Sequence, residues 1–202
     1  MCIRDRPSAR RSTGIGRPAG CALSEPAVIR VPSAVILRAR LPAGLERLRA
    51  RSLSGGADSV PAHLTLLYPF IEPDGLDVSV RRRIAAIAAD HAPFDYRLLA
   101  AARWPDTIYV AVAPVEPFVE LQTDLAAAFP DYPIYGKPAG FAFVPHVTIA
   151  VGASSDDPAT LADAAWADLP RPARASALEV IAGDGGAWRL VWRLRLGRPV
   201  RR

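Results

Sequence analysis

Two tetrapeptides in this chain follow one pattern, His63-Leu64-Thr65-Leu66 and His146-Val147-Thr148-Ile149, and they hold two of the three histidines among its 202 residues. In an extended strand, side chains alternate between faces. His and Thr of each tetrapeptide therefore project from one side and the two aliphatic residues from the other. Each segment offers an imidazole and a hydroxyl to a cleft and an apolar pair to a core. If the two segments pack about an approximate twofold axis, two imidazoles and two hydroxyls from positions 83 residues apart face one another. Two imidazoles flanking one substrate can divide labour, one taking a proton from an attacking oxygen and the other giving one to a leaving oxygen, because histidine titrates near neutrality. Two threonine hydroxyls can donate hydrogen bonds to anionic oxygens as charge builds on them. A phosphodiester presents an entering oxygen, a leaving oxygen and two non-bridging oxygens between them, which matches this set. The chemistry calls for no metal and no cofactor, and none is expected.

A single His-x-Thr is more often a hydrogen-bonded histidine at a strand end, and it is the matched pair in matched contexts that reverses the preference. His91 belongs to neither motif. It falls on an apolar helical stripe near a C-terminus, where a partly charged ring suits the helix dipole, and it is given no catalytic role.

The elements that must position these residues read as one order used twice: strand, helix, strand carrying His-x-Thr, helix, strand. In the first half, 34–40 is a short apolar run suited to a buried strand, and Pro42 starts a helix in which Leu45 and Leu48 share a face. PAHLTLLYPF (61–70) is a strand closed by Pro69, with Tyr68 and Phe70 directed to the core. A helix with Val80, Ile84, Ile87 and Ala88 inward stops before Pro93, and 94–103 reads as strand. In the second half, 107–113 is a strand, and Pro117 opens a helix with Phe118, Leu121 and Leu125 inward, ended by Pro130. The segment 131–143, rich in Gly and Pro, is irregular, and its Tyr132, Tyr135, Lys137, Phe141 and Phe143 read equally well as a lid or as an ordinary connection. FVPHVTIAVG gives a strand over 143–152. Asp157-Pro158 caps a helix running to Leu169. Finally, 176–182 and 188–196 flank Asp184-Gly185, a hairpin signal, with Trp188, Leu190, Trp192, Leu194 and Leu196 alternating onto one face and Arg189, Arg193 and Arg195 onto the other.

Half of the residues are apolar, enough for a sizeable core. No apolar run is long enough to cross a membrane, and the first residues lack a signal-peptide core, so a cytoplasmic protein without a membrane partner is expected. Cys2 and Cys21 lie before the first strand and match no metal-ligand spacing. The net charge of +5 resides at the ends: residues 1–30 carry +4 and 187–202 carry +6, leaving −5 on 31–186. An extended grip on long nucleic acid by phosphate neutralisation is therefore not expected, whereas a small anion in a local pocket is. Arg81-Arg82-Arg83 reads as a solvated helix face.

The doubled motif resembles the 2H phosphoesterase superfamily, and PAHLTLLYPF with FVPHVTIAVG is similar to its branch of 2′-5′ RNA ligase-like proteins and cyclic phosphodiesterases. The resemblance spans about residues 31–197 and implies an α+β, bilobal, duplicated fold, with two antiparallel sheets around a central cleft and helices outside. It implies His63 and His146 as the acid-base pair and Thr65 and Thr148 as phosphate ligands. The substrate implied is a small nucleotide or RNA terminus carrying a cyclic or 2′-linked phosphate. Some bacterial ligase-type members carry Arg before the proline of the second motif. Here Val144 takes that place, which favours a cyclic phosphodiesterase over an ATP-independent 2′-5′ RNA ligase. A third reading is a module that binds a nucleotide or RNA end without turnover. The expected organisation is an unfolded extension over 1–30, one domain over 31–197 with lobes dividing near 105 and 106, and a basic tail over 198–202, as a monomer.

Overall fold

The computed structural model describes residues 33–53, 60–137, 141–183 and 187–197. The expected extension over 1–30, both cysteines, the Asp184-Gly185 turn and the tail over 198–202 lie outside these described residues. In chain order the strands are β1 (Ser33–Arg38), β2 (His63–Leu67), β3 (Phe94–Trp104), β4 (Thr107–Ala113), β5 (His146–Val151), β6 (Arg171–Ala175), β7 (Ala177–Gly183) and β8 (Trp188–Arg195). The principal helices are α1 (Ala43–Ser52), α2 (Val78–Asp90) and α3 (Glu116–Ala128), with two single-turn helices, α4 (Ala153–Asp156) and α5 (Pro158–Leu161).

Every strand pairing is antiparallel, and the strands form two four-stranded sheets, β2-β1-β7-β8 and β5-β4-β3-β6. Each His-x-Thr strand is the edge of its own sheet, and the two edges lie against one another. The α+β architecture read from the sequence is the architecture found. The sheets, however, do not follow a division at residues 105 and 106. β3 precedes that point yet pairs with β4 and β6, while β7 and β8 return to the first sheet. Adjacent strands joined by the tight turn at 105–106 pair most readily, so β3 goes with β4.

One core serves both sheets. Leu64 and Leu66 of β2 and Val147 and Ile149 of β5 are fully buried in it, together with Leu45 and Leu48 of α1, Ile84 of α2, and Phe118, Leu121 and Leu125 of α3. The helices cross over: α1 packs on β5 and α3 on β2, so each motif strand is backed by a helix from the other half.

Three departures from the sequence reading have local causes. β6 (RPARA) carries no apolar alternation and contains Pro172. It is an edge strand paired only with β3, where a sheet tolerates a missing N–H. The single helix expected from Asp157 to Leu169 is instead α5 followed by a 3-10 turn over Ala164–Asp168, because Asp163 intervenes and its carboxylate accepts from the Ala165 N–H, as Asp157 accepts from Ala159. The expected one-face stripe of β8 is broken by a bulge where the partner register passes from Val180–Trp192 to Ile181–Leu190. Trp192, Leu194 and Leu196 join the main core, Trp188 packs with Tyr68 in a small cluster around Ile36, and Leu190 is exposed.

Candidate active site

Both motif strands begin at their histidine, and both repeat one burial pattern in which His and Thr are half-buried and the residues between and after them are buried. The strand expected from residue 143 starts only at His146, since Val144-Pro145 precede it and proline has no N–H for a ladder. The rings are fixed in the same way. His63 donates from Nδ1 to the Pro61 carbonyl at 2.7 Å, and His146 from Nδ1 to the Val144 carbonyl at 2.8 Å. A carbonyl only accepts, so the proton of each neutral ring is on Nδ1 and Nε2 carries the lone pair. Among the described residues the hydrogen bond of each ring is made from Nδ1, so each Nε2 is left unengaged.

Burial holds both imidazoles below their ordinary range. For His63 the cause is first desolvation, then the nearby positive charge of Arg49 and of His146, against the stabilising Pro61 carbonyl, and the result is about 4. His146 is lowered chiefly by desolvation, against the Val144 carbonyl. Both rings are thus neutral bases at neutral pH until an anion arrives.

His146 is boxed by aromatic rings: Trp104 lies edge-on at 4.6 Å between centroids and Tyr109 at 5.3 Å, with Trp104 and Tyr109 4.2 Å apart. Tyr109 is the cross-strand partner of Thr148, and Ile36 holds the corresponding place beside Thr65. The Tyr135 phenol stands near the Thr65 hydroxyl, which acts to lower the Tyr135 value against the rise that burial causes. Tyr135 sits in a 3-10 turn (Ile134–Gly136) at φ 53°, a left-handed conformation uncommon for a tyrosine, and its backbone N–H reaches the Tyr68 carbonyl. The irregular segment before the second motif therefore touches the first motif, and it does so through Tyr135. Lys137 is exposed, with its ammonium 5.9 Å from the Phe141 ring.

Arg49 escaped the sequence reading. It is buried on α1, donating from Nε to the Thr148 carbonyl (3.2 Å) and from Nη1 to the Val60 carbonyl (3.0 Å). It ties the second motif to the segment that leads into the first. The signal was present: Arg49 stands four residues after Leu45 on the stripe Leu45, Leu48, Arg49, Ser52, where a charged residue has no place on a purely structural face. His91, given no role, caps α2 and bonds Asp124 of α3 through Nε2 at 2.8 Å. Among the described residues no three His, Cys, Asp or Glu side chains converge as metal ligands, and no helix is long and apolar enough to cross a membrane.

The profile of the 2′-5′ RNA ligase superfamily matches residues 37–187. No curated protein sequence matches the chain. Among solved structures the fold is similar to that of TT0787 of Thermus thermophilus (TM-score 0.55, 19% identity, 83% of this chain and 98% of that one). It is similar to a crystal structure described as a phosphoesterase (TM-score 0.52, 16% identity, 84% and 99%). It is also similar to E. coli LigT in complex with ATP (TM-score 0.51, 16% identity, 83% and 99%). With the profile covering most of the chain, and both motif strands lying within it, the protein belongs to the 2′-5′ RNA ligase superfamily of 2H phosphoesterases.

Proposed function

We propose that this protein is a phosphoesterase that opens 2′,3′-cyclic phosphates on small nucleotides or RNA termini, using His63 and His146 as its acid-base pair and Thr65 and Thr148 as phosphate ligands. The observation that carries the reading is the matched anchoring of the two rings, Nδ1 on a carbonyl two residues upstream and Nε2 unengaged, on neighbouring edge strands. One neutral Nε2 takes a proton from water as its oxygen bonds to phosphorus. The P–O bond to one ribose oxygen breaks, and the other imidazole, protonated at Nε2 in the complex, gives its proton to that oxygen. The anionic substrate raises both imidazole values from their depressed resting state, so it supplies the condition for the second proton. Thr65 and Thr148 donate to the non-bridging oxygens, and Arg49 adds positive charge behind them. ATP accompanies LigT in one similar structure and 3′-AMP in another, which agrees with nucleotide ligands of this size.

The test offers adenosine 2′,3′-cyclic phosphate to the purified protein with a chelator present. Turnover that survives EDTA and falls by about 10²-fold or more in His63→Ala and in His146→Ala is expected. Loss of activity with EDTA, or full activity in both variants, overturns the mechanism. Formation of a 2′-5′ joined product from RNA halves without ATP would shift the assignment to the ligase direction.

A further inference from the structure

Beside His63 lies a cavity of about 800 Å³ that the chemistry above does not use. Five arginines line it, Arg38, Arg40, Arg171, Arg174 and Arg193, together with two carboxylates, Glu46 and Glu179, and Arg174 is paired with Asp95 at 2.8 Å. It is continuous with the motif. Arg38 is the cross-strand partner of His63, and Pro61, whose carbonyl holds the His63 ring, forms part of the wall. Glu179 lies in the same cross-strand row as Thr65, through Ile36, and residues in one such row share a face of the sheet. Arg193 extends that row onto β8.

Glu179 is the second, independent sign. It is 2% exposed, and its Oε1 has no hydrogen-bond partner. The nearest cation, Nη1 of Arg193, stands at 3.6 Å, beyond hydrogen-bond length. A buried carboxylate oxygen without a donor is rare in a folded protein and costs free energy until one is supplied. A phosphate has no proton to offer it, whereas a sugar hydroxyl has. Strands lie about 4.8 Å apart, so a row from β2 to β8 spans roughly 14 Å, the scale of one nucleotide added to the one that reacts.

We infer that this cavity binds a second nucleotide unit joined to the reacting one, its phosphate held by the arginines and a ribose hydroxyl donating to Glu179. The inference rests on the phosphoesterase reading and narrows its substrate to a cyclic-phosphate end with at least one upstream nucleotide. Steady-state rates are compared for adenosine 2′,3′-cyclic phosphate and for the dinucleotide ApA ending in a 2′,3′-cyclic phosphate, with the native protein and with Arg38→Ala/Arg171→Ala. Among the described residues neither of these exposed arginines is in an ion pair, so the change does not strand a buried carboxylate. The native protein should favour the dinucleotide in kcat/KM by about tenfold or more, and the ratio should fall towards one in the double variant. Equal use of both substrates by the native protein, or a preference unaltered by the double substitution, overturns the inference. If neither substrate turns over, the phosphoesterase reading fails by itself. The inference is then decided by calorimetric binding of ApA 3′-phosphate to His63→Ala/His146→Ala, with and without the arginine substitutions. Weaker binding by about tenfold without the arginines supports the second site, and equal binding refutes it.

Discussion

Acidification should destabilise this protein through His63 in a way that a non-titrating side chain abolishes. The folded ring has its value held at about 4, while in the unfolded chain it returns to 6.5. Between these limits the unfolded chain holds a proton that the folded protein refuses, so stability rises with pH across the window. The contribution is fully present above about 6.5, is lost as pH falls, and is gone below about 4. The gap is worth about 3 kcal/mol, a large share of the stability of a domain this size. His146 adds in the same direction. Urea unfolding at steps from pH 7.5 to pH 4 measures it. The free energy of the native protein should fall by about 3 kcal/mol more than that of His63→Gln over this range. Parallel curves for the two proteins, or a native protein that gains stability on acidification, would refute the claim that the ring is buried in neutral form. The same burial is what makes each ring a base at rest, so the stability experiment examines the catalytic premise without measuring turnover.

Because kcat/KM reports the free protein, its pH profile should be bell-shaped with an optimum on the acid side of 6.5, while the kcat profile moves to higher pH once phosphate is bound, and coincident profiles would contradict this. Thr65→Val and Thr148→Val each remove one donor to the phosphate and should lower kcat by about 10- to 10³-fold with stability little changed, checked by turnover and thermal unfolding. Arg49→Met leaves the Thr148 and Val60 carbonyls without their donor in buried surroundings and should cost about 2–4 kcal/mol in urea unfolding, as well as activity. Tyr135→Phe removes the phenol that stands near Thr65, and a change of up to about tenfold, seen in KM more than in kcat, is expected from steady-state kinetics.

What could be read from the residue string was everything governed by neighbours along the chain. The period-two alternation of His63-Leu64-Thr65-Leu66 and its counterpart placed polar pairs and apolar pairs on opposite faces, and burial follows that pattern residue for residue. The stripes Leu45-Leu48 and Phe118-Leu121-Leu125 determined which faces of α1 and α3 point inward. Pro93 and Pro130 marked where α2 and α3 stop, because the proline ring cannot continue a helix. The repeat of the motif pointed to one site built twice, and residues 107–113 matched β4 to the residue.

What lay beyond the string was what depends on partners remote in sequence. β6 has little apolar signature because an edge strand gains its hydrogen bonds from β3 alone and turns only the small Ala173 and Ala175 towards the core, leaving Arg171, Pro172 and Arg174 exposed. The assignment of β7 and β8 to the first sheet, and the bulge that separates Trp188 from Trp192, arise from cross-strand register, which no local period encodes. Arg49 reaches Thr148 across 99 residues, and Tyr135 reaches Thr65 from a turn in the other half of the chain. The sequence by itself determined which residues are polar, apolar or extended. Only the tertiary structure decided which of them meet and how deeply each imidazole is withdrawn from water, because burial and hydrogen bonding are properties of an assembled surface that distant segments complete together.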